Sequence, residues 1–209
     1  MRVVNGHFYV PDNESDIVML SSGINYQGSK LRAALKYVKQ SRLAIDIGAH
    51  CGLWTKQLGD YFDRVECFEP MPIHAEAWRR NIKKQTSVLH ECALGDKDVD
   101  CGLTVNEQFP ARSYVDIGGI GIPMVRLDNF NYQDVDLIKV DCEGFELFVL
   151  KGGEETIKRC RPTIIVEQKP GFGSRFGIED TSAVKYLESL GATVKDEITG
   201  DYILTFEDK

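Results

Sequence analysis

The stretch AIDIGAHCGLWT, residues 44–55, constrains the fold more than any other part of the chain. An apolar run ends at Asp46-Ile47, and two glycines, Gly48 and Gly52, then lead into an amphipathic segment. Glycine at 48 permits a sharp turn and the close approach of a ligand to the main chain; glycine at 52 lets a helix pack close to the strand. A buried strand that passes at once into a helix belongs in an open α/β sheet, because a parallel neighbour is reached only through a crossover.

The rest of the chain repeats that alternation. Short apolar runs at 43–47, 65–68, 88–89, 137–140 and 163–166 read as strands, and their near-continuous apolar character suits burial on both faces. Segments 29–39, 55–62, 73–84, 145–150 and 154–158 read as helices. In the first, Ala33, Leu35, Tyr37 and Val38 form the apolar stripe, and Lys30, Arg32, Lys36 and Lys39 are expected in solvent. Residues 101–127, with CGLTV and IPMVRL around a Gly-rich stretch at 114–121, predict an inserted β-hairpin. The end of the chain predicts a helix at 181–190 and strands at 192–194 and 202–206, the last two turned into an antiparallel hairpin at Gly200-Asp201. A length of 209 residues suits one domain of the usual size, about 100–200 residues. Within 1–209 the expected parts are an N-terminal cap segment (1–40), a cofactor-binding core (41–170) and a C-terminal helix and hairpin (171–209).

Composition removes several function classes. With 25 Lys and Arg against 32 Asp and Glu, the net charge is −7, which disfavours a nucleic-acid partner. No apolar run approaches the roughly 20 residues of a membrane span. The N-terminus meets Pro11 before any continuous apolar stretch, so no secretory signal is expected. The six cysteines form no C-x-x-C pair and the four histidines no H-x₃-H pair. That spacing predicts free thiols in a reducing cytoplasm and no metal site. The sequon Asn13-Glu14-Ser15 then carries no glycan.

The acidic strand tips carry the chemistry. The spacing at 46–52 is D-x-G-x-x-x-G, whereas dinucleotide sites use G-x-G-x-x-G. Asp46 would repel a pyrophosphate and attract a cation, while helix-start amides suit a carboxylate. A ligand with both a positive centre and a carboxylate is implied, and S-adenosylmethionine has both. Glu69, in VECFEP, stands where a bidentate acceptor binds both ribose hydroxyls. Helix capping is the structural alternative for Asp46 and Glu69. In VDLIKVDCEGFELFVLKGG, residues 135–153, Asp141 and Glu143 fall at the tip of the fourth strand, beside the Gly48 turn at the sheet's switch point. They are the candidate catalytic carboxylates, placed to stabilise a sulfonium and to help remove a proton from an incoming nucleophile. Their structural alternatives are an N-cap for Asp141 and a helix-dipole role for Glu143. Lys139, inside a buried strand, requires a carboxylate, with Glu167 the expected partner. His50 either bonds within its loop or meets the cofactor carboxylate; His74 is expected in solvent, and Trp54 and Trp78 in the core. Acceptor recognition is expected from 109–122 and from 168–177, the latter a candidate lid containing Arg175. The segment around Tyr26-Gln27 is placed to cover the cofactor.

Asp46 to Trp54 (DIGAHCGLW), Phe68-Glu69-Pro70, Ala93-Leu94-Gly95-Asp96, Asp141 to Glu146 (DCEGFE) and Val149-Leu150-Lys151-Gly152 together resemble the FkbM family of class I S-adenosylmethionine-dependent methyltransferases. The blocks occur in the family's order across roughly residues 40–170, and D-x-E-G-x-E is the most specific of them. The resemblance implies a Rossmann-like, doubly wound, mostly parallel seven-stranded sheet with an antiparallel last strand. It also implies methylation of a hydroxyl oxygen on a sugar or small metabolite, hence a small-molecule or glycan acceptor. By motif, Asp46, Gly48 and His50 lie on the methionine side, Glu69 on the ribose and Cys92-Ala93-Leu94 beside the adenine; Asp141, from its place at the switch point, joins them as a cofactor-binding candidate. The chain departs from the usual pattern with His50 where Asn is frequent and Cys92 where a polar residue is usual. An NAD-dependent oxidoreductase is the rival enzyme, but its glycine spacing is absent. A non-catalytic cofactor-binding module is opposed by the intact acidic tips at 46, 69 and 141.

Overall fold

Residues 1–14, 25–107 and 109–207 are described by the structure, a computed structural model. A short hairpin, β1 (Arg2–Val4) and β2 (Phe8–Val10), precedes helix α1 (Gly28–Leu35). The alternating core continues with β3 (Leu43–Ile47), α2 (Leu53–Leu58), β4 (Arg64–Phe68), α3 (Pro72–Asn81) and β5 (Ser87–His90). After an insertion come β10 (Val135–Val140), α4 (Glu146–Gly152), α5 (Glu154–Cys160), β11 (Thr163–Glu167), α6 (Ser182–Ser189), β12 (Ala192–Ile198) and β13 (Asp201–Phe206).

Seven of these strands form one sheet in the order β5-β4-β3-β10-β11-β13-β12. All neighbours pair in parallel except β13, which runs antiparallel to both β11 and β12. The expected doubly wound sheet with a reversed last strand is therefore present. The insertion is larger than the single hairpin expected. β7 (Val99–Thr104) and β9 (Ile122–Val125) do pair antiparallel, but β6 (Ala93–Leu94) and β8 (Tyr114–Asp116) flank them in a four-stranded sheet, β6-β9-β7-β8.

Side-chain alternation along each strand divides the core into two layers. Ile45, Ile47, Ile138, Val140, Ile164 and Val166 face α4, α5 and α6. Ala44, Val65, Leu137, Ile165 and Ile203 face α1, α2 and α3, where Leu31, Trp54, Leu58 and Trp78 cover them. Lys30 corrects the amphipathic reading of α1: it is buried and ion-paired to Asp201 at the start of β13, whereas Arg32, Lys36 and Lys39 are exposed as expected. The six cysteines are free thiols, and among the described residues no helix is long and apolar enough to cross a membrane.

One pair in this sheet sets the geometry of its active end. Lys139 lies directly opposite Asp46 across β10 and β3, both on the α1–α3 side. The Lys139 ammonium lies 3.4 Å from Asp46 Oδ1, so its partner is Asp46 and not the expected Glu167. Asp46 Oδ2 accepts from the Thr55 hydroxyl at 2.7 Å, and that hydroxyl accepts from Trp78 Nε1 at 3.0 Å. Neutralising one member leaves the other buried without compensation, which costs about 3–5 kcal/mol. Lys139→Met should therefore lower the urea midpoint sharply at unchanged m-value. The double variant Asp46→Asn/Lys139→Met should cost clearly less than the two single changes summed. Strict additivity would show that the pair is uncoupled.

Candidate active site

The C-terminal tips of β3, β4, β5 and β10 open on one cavity. Its floor is the turn after β3. Gly48 has φ 74°, and a Cβ there would lie 2.0 Å from the Asp141 carbonyl oxygen, so glycine is what lets two strand tips meet. The close neighbour of this glycine is protein, where the sequence suggested a ligand. Gly52 (φ 91°) is likewise fitted to α3: a Cβ would meet Ile82 Cγ1 at 2.9 Å and Trp78 at 3.0 Å. The turn's amides are largely satisfied internally. Gly48 and Ala49 donate to the Phe68 carbonyl at 3.0 and 3.1 Å, and His50 N–H donates to Glu69 Oε2 at 2.8 Å.

Glu69 straps this turn to the start of α3, since its Oε1 accepts from the Met71 amide at 2.9 Å. Its carboxylate is buried and lines the cavity. Burial alone would raise its pKa, but His74, then His50 and the Met71 amide, hold it below the usual value. His74 corrects an expectation of solvent exposure. It is buried with Nδ1 3.5 Å from Glu69 Oε1, because the first turn of α3 folds under the strap. His50, in the left-handed region at φ 49°, points Nε2 at Glu14 Oε2, 3.3 Å away, and lies edge-on to the His74 ring at 3.9 Å between centroids.

Gly48, His50, Glu69, Cys92, Ala93 and Asp141 all line the cavity. Asp46 does not, and the expectation that it contacts the cofactor is corrected. Its carboxylate is fully buried below the turn on Thr55 and Lys139. Asp46 shapes the site through Lys139, which donates to the carbonyls of Gly48 at 2.7 Å and Ile47 at 3.2 Å. At the β5 end, burial pushes the Cys92 thiol up to about 11, so it presents a neutral wall. Tyr26 also lines the cavity, anchored where Gln57 donates to its carbonyl at 2.8 Å and Trp54 Nε1 to Gln27 at 2.8 Å.

The other end is acidic. Carboxylate oxygens of Asp141, Glu143 and Glu167 all lie within 4.8 Å of one another. Neither Asp141 nor Glu143 caps α4: the helix begins at Glu146, which itself accepts from the Cys142 and Gly144 amides at 3.0 and 2.9 Å. Glu143 is held at φ 55° and buried, and its Oε2 has no hydrogen-bond partner among the described residues. The three carboxyl groups behave differently. Burial works against Asp141, but Lys139 at 3.9 Å, then Lys169, keep it below the usual range. Glu143 is raised to about 7 by burial and then by Asp141, and Glu167 to about 9 by the same two causes. Lys169 pairs with Glu167 at 2.7 Å.

His74 and Lys169 line the cavity, and Glu14 and Glu167 lie beside residues that do. Of these the sequence pointed to Glu167 by its strand tip and to Lys169 by its place in the segment 168–177. The two expected acceptor segments do converge on this end. Residues 110–115 and Lys169 line the cavity, and Arg175 joins the segments, donating to the Glu143 carbonyl at 3.1 Å. Its guanidinium sits over the rings of Tyr114 (4.6 Å) and Phe172 (4.4 Å).

The Methyltransferase FkbM domain model matches residues 46–194. Methyltransferase 1 of Beauveria bassiana (strain ARSEF 2860) is 24% identical, with 73% of each chain covered. The structure of Methyltransferase FkbM from Methylobacillus flagellatus KT matches with a TM-score of 0.52 at 16% identity, covering 93% of this chain; this chain spans 56% of that protein. N-methyltransferase NodS from Bradyrhizobium japonicum WM9, solved in complex with S-adenosyl-L-homocysteine, matches with a TM-score of 0.57 at 12% identity, covering 93% and 92% of the two chains. These structures share the class I methyltransferase fold seen here. With the family model spanning most of the sheet and both acidic tips at 69 and 141, the chain belongs to the FkbM methyltransferase family.

Proposed function

We propose that this methyltransferase uses S-adenosylmethionine to methylate a hydroxyl oxygen on a sugar or other small metabolite. One observation carries the reading: a single cavity runs from Cys92 and Ala93 past Glu69 to Glu143, whose buried carboxylate oxygen has no partner among the described residues. The residues present fit the donor. Cys92 and Ala93 offer an apolar wall to adenine, Glu69 two acceptor oxygens to the ribose hydroxyls, and Gly48 to His50 the methionine side. Asp141, held ionised, favours positive charge at the reacting end.

When bound, S-adenosylmethionine supplies an electrophilic methyl group for in-line displacement. The protein's part is to align the acceptor in a water-poor pocket and to receive the proton of its hydroxyl. Glu143 suits that second task, being buried, unpartnered among the described residues and poised near neutrality. The net charge of −7 and the ionised Asp141 at the reacting end suit a small or glycan acceptor over a polyanion.

Donor binding tests the cofactor assignment. Glu69→Ala should weaken it by about 1.5–3 kcal/mol, the scale of hydrogen bonds to a charged group. NADH binding more tightly than the donor would defeat the assignment. Glu143→Gln separates binding from chemistry: donor affinity should stay within about threefold while turnover on a hydroxylated acceptor falls by ~10² or more. Asp141→Asn should instead weaken both. Near-full turnover in a folded Glu143→Gln variant would leave Glu143 only a positioning role.

The pH profile gives an independent check. Burial, then Asp141 and Glu146, push the Glu143 carboxyl up, Lys169 and Arg175 oppose them, and the balance leaves it at about 7. A base must be ionised to accept a proton, so turnover should rise with pH through a midpoint near that value. That limb should vanish in Glu143→Gln. An identical limb in the variant would assign it to another group.

A further inference from the structure

We infer that Glu14, His50 and His74 form a binding site for a divalent transition-metal ion of the zinc type, built into the wall of the donor cavity. The three side chains come from separate parts of the chain: the segment after β2, the turn after β3 and the first turn of α3. Folding alone brings them together, which is why no ligand spacing announces them and why the sequence predicts no metal.

Their candidate ligand atoms all lie within 4.8 Å of one another. His50 Nε2 and Glu14 Oε2 are 3.3 Å apart, matching the edge of a tetrahedron built on metal–ligand bonds of about 2.0–2.2 Å. His74 Nε2 is buried and makes no hydrogen bond among the described residues, although burial of an unpaired ring nitrogen is costly. The other nitrogen of that ring faces the Glu69 carboxylate at 3.5 Å. A carboxylate on the far ring nitrogen is the arrangement that fixes a metal-binding histidine's tautomer and leaves its second nitrogen free for the ion. Two imidazoles and one carboxylate suit a borderline ion such as Zn²⁺ or Co²⁺, whereas Mg²⁺ and Ca²⁺ favour all-oxygen sets. Three protein ligands leave a fourth position open. Because His50 and His74 also line the cavity, such an ion ties the N-terminal segment to the wall that holds Glu69.

Titration of the chelator-treated full chain with Co²⁺, tracked by visible absorption, tests the site without any methyl acceptor. One equivalent should bind with the ligand-field bands of a low-coordinate site, be displaced by Zn²⁺, and raise the melting temperature. His74→Gln and Glu14→Gln should each weaken binding at least tenfold, and His90→Gln should leave it unchanged. Circular dichroism confirms that each variant is folded; should His74→Gln fail to fold, Glu14→Gln, outside the central sheet, carries the comparison alone. Absence of saturable binding would overturn the proposal. So would Co²⁺ binding that survives the folded Glu14 or His74 variants, or that is lost instead in Asp141→Asn, which would place the ion at the carboxylate end.

Discussion

The buried Lys139 ammonium organises the active end of this protein. It donates to the carbonyls of Gly48 and Ile47, pairs with Asp46 at 3.4 Å and lies 3.9 Å from Asp141. A cation in the interior persists only if its surroundings repay the lost hydration, and here every partner belongs to the two strand tips that build the site. The turn after β3 is thus held from below by charge and from the side by Glu69. The same cation separates the two candidate catalytic carboxylates. Asp141, next to Lys139, is held ionised, while Glu143 lies beyond that influence and takes on burial and the repulsion of Asp141. Divergent environments on neighbouring acids are how one site provides both fixed negative charge and an acceptor for protons.

A second set of buried charges supports the first. Glu167 and Asp201 lie directly opposite each other across β11 and β13, where two ionised carboxylates would repel, and Glu167, raised to about 9, is the one that holds its proton. Lys30, from α1, pairs with Asp201 and also feels Glu167, and Lys169 pairs with Glu167. The reversed last strand is therefore linked by charge as well as by hydrogen bonds to the first helix and to the loop beside the cavity. Acidic residues at these strand tips are tolerated because lysines from three different elements, Lys30, Lys139 and Lys169, converge on them.

Legibility from sequence tracks the range of the interactions involved. The alternating strands and helices, their order and the terminal hairpin are readable because apolar runs and turn residues act locally. Helix ends shift by a few residues: α1 stops at Leu35, although Tyr37 and Val38 continue to pack. The insertion exceeds its expected hairpin because β6 and β8 are too short to carry a pattern. Motif position picks out Glu69, Cys92, Ala93, Asp141 and Glu143, and all five line the cavity. Asp46 is misplaced because the strand pattern locates its backbone but says nothing of Lys139 opposite. Lys30 and His74 read as solvated because their burial depends on Asp201 and Glu69, partners that helical periodicity does not reveal.

Placement of Glu143 depends on parts of the chain far from its motif. Its left-handed backbone is held where Arg175 grips its carbonyl, and Arg175 is itself stacked between Phe172 and Tyr114. Phe172 belongs to the loop after β11 and Tyr114 to β8 of the insertion, the two segments that flank the acceptor end. A change in either segment would also move the contact that fixes the carboxylate. On the proposed function, the segments that would recognise the acceptor and the carboxylate that would take its proton share one guanidinium, whereas Glu69 and the β3 turn depend on a separate set of bonds. The cavity therefore divides into an end fixed by strand tips and an end fixed by loops; on the proposed function, a change in the loops would alter the acceptor while leaving the donor's strand tips in place.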